Sequence, residues 1–138
     1  MNKVLLLAIV MVAGRVAAAE TDGVAVFRAG LVAYQANGPD ALLGAWYDAE
    51  EQAMIGDLRQ RLIAATRGLG EVVDTEVFAP TSVGRHLQHL YGVIYFRKRP
   101  LWLRADYYAI EGRSGFISLE FSRSSEDILP LGFGPTVH

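Results

Sequence analysis

The chain has 138 residues, with thirteen Lys and Arg against fifteen Asp and Glu, and no cysteine. The missing cysteines exclude disulfide staples, thiolate nucleophiles and Cys-ligated metals. A net charge of −2 with 51% hydrophobic residues describes one globular domain and excludes the basic balance expected of a nucleic-acid binder.

Residues 1–19 carry the three regions of a cleavable export signal. They are Lys3, an unbroken apolar run from Val4 to Ala13, and the small residues Ala17, Ala18 and Ala19. The run is shorter than the roughly 20 residues a bilayer span needs, and no cysteine follows it to carry a lipid. The expectation is a periplasmic or secreted protein with no stable membrane anchor after cleavage. Loss of Lys3 and Arg15 leaves eleven basic residues against fifteen acidic, a net charge of −4 on the remaining 119 residues. The expected layout is a signal peptide 1–19, a folded domain 20–123 and a C-terminal tail 124–138.

After the leader, Thr21 or Asp22 can cap a first helix whose apolar stripe is Val24, Phe27, Leu31 and Tyr34. Asn37-Gly38 ends it, and Pro39 suits the first position of a second helix bearing Leu42, Leu43 and Trp46. Asp48 and Glu51 have capping-box spacing for a third, running through Met54, Ile55, Leu58, Leu62 and Ala65 to the glycines at 68 and 70. The period then changes to two. Val72 to Val77 alternates as a strand and Pro80 breaks it. Three long strands follow at about Leu87–Arg97, Leu101–Ile110 and Phe116–Ser122, joined by turns at 97–100 and 111–115. Ser125 to Leu129 can make one helical turn, and Pro130, Gly132, Gly134 and Pro135 suggest a loose end. The fold class is α+β, with N-terminal helices on a bent antiparallel sheet of about four strands.

Centring the hairpins on those turns sets Tyr91 opposite Tyr107, Val93 opposite Ala105 and Ala105 opposite Phe121. The helix-facing side then carries Tyr91, Val93, Tyr95, Leu101, Leu103, Ala105, Tyr107, Ile117, Leu119 and Phe121. Tyr34 and Trp46 from the helices with Tyr91, Tyr95 and Tyr107 from the sheet are candidates to line a pocket for a small apolar ligand, because buried Tyr and Trp tips need polar partners. The other face would hold Phe96, Trp102, Arg104, Tyr108 and Phe116, a large aromatic set for an exterior and a candidate association face for a homodimer. Asp106 falls there too, opposite Gly92 and near Glu120. Arg104 two residues away offers both acids a surface ion network worth little by itself.

Helices followed by a long hairpin, Leu87 to Ile110, and a closing strand Gly115-Phe116-Ile117-Ser118-Leu119-Glu120-Phe121 resemble the nuclear-transport-factor-like, ketosteroid-isomerase-like superfamily. The first helix ending in Ala36-Asn37-Gly38-Pro39-Asp40 belongs to the same likeness. The resemblance implies a cone-shaped fold with a pocket between helices and sheet, and frequent sheet-to-sheet dimerisation. Its enzymes use a carboxylate base, sometimes a His–Asp pair, with a tyrosine donor, which makes Asp106 the candidate catalytic residue. Asp106 and the tyrosines fall on opposite faces in this register, unless a bulge at Gly92 turns Asp106 inward. His86 and His89, three apart on a strand, face opposite ways, and no third ligand lies at metal-site spacing. Phosphate-loop, dinucleotide-binding and Gly-x-Ser-x-Gly patterns are absent from the sequence, so no cofactor is expected. The leading expectation is a non-catalytic module that binds a small apolar ligand or a protein partner, ahead of an isomerase- or dehydratase-type enzyme.

Overall fold

A computed structural model of the chain describes residues 23–133. The export signal expected at residues 1–19 lies outside them. Helix α1 spans residues 23–37 and buries Phe27, Leu31 and Tyr34, the stripe expected from their spacing. It ends where Gly38 takes φ +86°, a left-handed conformation that glycine adopts without a side-chain clash. Pro39 then opens α2 (Pro39–Trp46), which buries Leu42, Leu43 and Trp46. The capping box forms: Asp48 accepts from the Glu51 N–H at 2.8 Å, and Glu51 accepts from the Asp48 N–H.

That box closes only a single turn, α3 (Ala49–Gln52), rather than starting one long helix. A separate helix, α4 (Gly56–Thr66), follows. Gly56, a poor helix former, stands at the junction, and Met54 projects into solvent at 83% exposure instead of joining the stripe. Among the described residues no helix is long and apolar enough to cross a membrane.

Five antiparallel strands follow: β1 (Val72–Val77), β2 (Thr81–Val83), β3 (Leu87–Phe96), β4 (Pro100–Ile110) and β5 (Arg113–Ser122). Their order is β1-β3-β4-β5, and the short β2, absent from the sequence reading, continues the β1 edge beside the start of β3. The protein is thus α+β, with helices packed on an open antiparallel sheet, an arrangement compatible with a cone.

Both hairpins are tighter than expected, and the register changes with them. Phe96 N–H bonds Arg99 O across the β3–β4 turn, so Tyr91 pairs with Arg104 and His89 with Asp106. Ile110 pairs with Arg113 across a two-residue turn whose central residues, Glu111 and Gly112, have φ of 50° and 76°. Positive φ at both positions matches the right-handed twist of the flanking strands. The first correction shifts β3 by three residues, and an odd shift exchanges faces. Leu90, Gly92, Ile94 and Phe96 therefore face the helices, with Leu101, Leu103, Ala105 and Tyr107 of β4. A bulge opposite Asp106 and Tyr107 makes Ile117 the extra residue of β5. Phe116 consequently enters the core while Ile117 is 63% exposed.

Close approach of α1 to the sheet and to α2 depends on two glycines. A Cβ at Gly92 would lie 2.6 Å from Phe27, and one at Gly30 would lie 2.0 Å from the Trp46 indole nitrogen. Trp46 stacks on Phe27 with centroids 5.0 Å apart, meets Phe116 at 5.0 Å, and donates from Nε1 to Val26 O at 2.9 Å.

The segment after β5 is not loose through Phe133. It returns across the other face of the sheet, where Phe133 packs on Tyr91 at 5.7 Å and on Phe78 at 5.6 Å. Phe78 in turn stacks on Trp102. Tyr91, Val93 and Ile128 are buried without belonging to the helix-side core. The middle of β3 is therefore covered on both faces.

Candidate functional site

The five pocket candidates do not converge. Tyr34, Trp46 and Tyr107 lie in the helix-side core and are engaged there: Tyr34 meets Phe96 edge-on at 5.8 Å, and Tyr107 meets Phe116 at 5.1 Å. Burial pushes the Tyr34 hydroxyl above its ordinary pKa. Tyr91 and Tyr95 are on the opposite face, by the three-residue shift of β3. Tyr95 donates to Glu76 Oε1 at 2.7 Å, and this bond to a carboxylate raises its pKa to about 12. Tyr47, which was not singled out, is also raised to about 12, mainly by burial and secondarily by Glu51.

The candidate association face splits as well. Phe96 and Phe116 are core residues, 7% and 4% exposed. Trp102, Arg104 and Tyr108 remain on the outer face. Trp102 is partly covered by Phe78, Arg104 is bonded to Glu120, and Tyr108 is 39% exposed.

Asp106 is on the outer face, as expected, but opposite His89 rather than Gly92. His89 Nδ1–H donates to Asp106 Oδ1 at 2.5 Å, and Ser118 Oγ–H donates to Oδ2 at 2.7 Å. Arg104 bonds Glu120 only, one row away. His89, Asp106 and Ser118 are direct cross-strand neighbours on β3, β4 and β5. The pairing uses Nδ1, and His89 Nε2 has no hydrogen-bond partner among the described residues. Among the described residues no group of three or more His, Asp or Glu could hold a metal ion.

A concave feature lies elsewhere, at the start of β5. An open groove of about 360 Å³ is walled by Tyr108, Ile110, Phe116 and Ile117, with Glu51 of α3 and Arg113 as its charged members. It runs beside β5, which pairs with β4 alone among the described residues. Trp46 fixes its floor from inside by holding Phe116. The sequence reading missed this groove, because it depends on the bulge that turns Ile117 out and Phe116 in. The isolated signal for it was the run Gly115-Phe116-Ile117, two adjacent large apolar residues where alternation allows one to be buried.

Comparison with protein-family models, with curated proteins and with solved structures finds no match to this chain.

Proposed function

We infer that this is an exported, non-catalytic binding module, a distant member of the nuclear-transport-factor-like superfamily, and that its contact surface is the groove beside β5. One observation carries the reading: Ile117 and Tyr108, both exposed, line an open apolar groove next to a strand edge that has no partner among the described residues. An edge with unpaired N–H and C=O groups and adjacent apolar pockets suits an extended protein segment better than a compact small molecule. Tyr34, Trp46 and Tyr107 are packed against Phe96, Phe27 and Phe116, and Tyr91 and Tyr95 lie on the other face against Phe133 and Glu76, which supports a site at the edge rather than in the interior.

The test uses anilinonaphthalene sulfonate as an apolar probe on dilute protein. Its fluorescence is expected to rise with the wild-type protein and to fall sharply with Ile117→Ser. No rise with the wild type, or a loss caused by Trp102→Ala and not by Ile117→Ser, overturns the assignment.

The His89–Asp106 bond favours a second reading, an isomerase- or dehydratase-type enzyme with Asp106 acting through His89. Its weakness is position: the dyad lies across the sheet from Tyr34, Trp46 and Tyr107. Deuterium exchange into a ketone probe checks it, and a rate no faster than that of free imidazole at the same concentration dismisses it.

A further inference from the structure

The groove leaves open what lies along β5, and the charges on that strand are self-complementary. We propose that the edge of β5 pairs antiparallel with β5 of a second copy of this chain, Arg113 of each facing Glu120 of the other. The proposal rests on the reading of the groove as a contact surface and names its occupant.

Arg113 stands beside Ile110, and Glu120 beside Arg104. Both β4 partners belong to the outer row with Trp102, Asp106 and Tyr108. In a regular strand two residues seven apart point to opposite faces. Here the extra residue at Ile117 restores them to the same face. That is the condition for reciprocal pairing about a twofold axis, where directly opposed residues share a face.

The register that opposes 113 to 120 also opposes 114 to 119 and 115 to 118. Every one of these pairs matches outer residue to outer and core-side residue to core-side. The next register that keeps the faces matched opposes Arg113 to Ser122 and forfeits both ion pairs. Arg113 is exposed and has no ion-pair partner among the described residues. Glu120 uses Oε2 on Arg104 and keeps Oε1 for a second donor. The axis falls between Phe116 and Ile117, so the exposed Ile117 side chains of the two copies meet beside it. A bulge ordinarily blunts an edge strand. In this arrangement the two bulges coincide at the axis, and pairing runs in the three-residue stretches on either side.

Sedimentation of the purified protein tests this with two charge reversals, Arg113→Glu and Glu120→Arg. Each variant alone opposes like charges at both ends of the axis. An equimolar mixture opposes unlike charges at both ends. The expected result is a concentration-dependent dimer for the wild type and at least about tenfold weaker association for each variant alone, with association restored in the mixture. A wild-type protein that stays monomeric to about millimolar concentration overturns the proposal, as does a dimer indifferent to both reversals.

Circular dichroism confirms folding of the variants. Should one fail to fold, amide exchange on the wild type decides. Protection of residues 113–120 that rises with protein concentration supports the pairing, and protection that is unchanged there overturns it. The fluorescent probe separates the two failures. A monomer whose groove still binds it loses only the second copy, while a monomer with a silent groove loses the contact-surface reading too.

Discussion

Gly30→Ala inverts the usual sign of a glycine-to-alanine change in a helix. Gly30 is inside α1, where alanine is ordinarily favoured by about 1 kcal/mol. The added Cβ, however, would sit 2.0 Å from Trp46 Nε1 and 2.4 Å from Cε2. Trp46 is 5% exposed, so its ring has nowhere to move without disturbing Phe27 and Phe116, on which it packs. Overpacking of this kind costs about 1–3 kcal/mol. Displacing the indole also breaks its bond to Val26 O and strands a buried N–H, for about 1–3 kcal/mol more. After subtracting the propensity gain, the expected loss is about 3 kcal/mol, which lowers the melting temperature by roughly 10 °C in a domain of this size. Gly44→Ala is the control: Gly44 lies in α2 with nothing within 4 Å of the new methyl, so this change stabilises by about 1 kcal/mol. Urea denaturation followed by circular dichroism measures both. If Gly30→Ala stabilises as Gly44→Ala does, the close packing of α1 on Trp46 is wrong, and with it the placement of Phe116 under the groove.

Phe133→Ala should destabilise by about 1–2 kcal/mol, less than a fully buried phenylalanine because Phe133 is half-buried; an unchanged urea midpoint would show that the returning segment carries no stability. In alkali, Tyr47 and Tyr95 hold their protons to about 12 in the folded protein against an ordinary value of 10.0. Their contribution is therefore full below about pH 10 and is lost as pH rises toward about 12, while the unfolded chain deprotonates first. Tyr95→Phe should flatten that decline by removing the bond to Glu76, and an identical pH profile for wild type and variant would refute the role of that bond.

Much of the helical layer was legible. The Phe27, Leu31, Tyr34 stripe, the Gly38-Pro39 break and the Asp48–Glu51 cap are local signals, and local geometry realises them. The existence of β1, β3, β4 and β5 was legible for the same reason. Three Thr-Ser-Val residues are too few to announce β2. Register was not legible, because the middle of β3 has no polar face to read: Leu90, Tyr91, Val93 and Ile94 are all buried. Its outer side is apolar for contact with a segment more than thirty residues later in the chain, which periodicity cannot see. The second turn misled differently. Ser114-Gly115 reads as turn, yet Glu111 accepts the positive φ and closes the hairpin in two residues. Phe96 and Phe116, assigned outside, and Tyr91 and Tyr95, assigned inside, all follow from these two turns and the bulge.

The face of Asp106 looked like the choice between a catalytic site and an exterior ion network, and its partners suggest a third role. His89 and Ser118 each donate to one oxygen of its carboxylate. A one-residue slip of β3 would set Leu90 or Gln88 in place of His89, and a slip of β5 would remove Ser118, leaving a half-buried carboxylate without its donors. Such a loss is costly in a partly dehydrated setting, so the row acts as a register lock across three strands where hydrophobic patterning leaves register open. The lock sits immediately before the bulge. With Asp106 holding Ser118 and Tyr107 pairing with Phe116, Ile117 is the residue left over, and it has no place but the edge. The polar row thus exposes the apolar side chain beside the groove. It also sets the parity that brings Arg113 and Glu120 onto one face, so the pairing proposed for β5 depends on a carboxylate that three strands share.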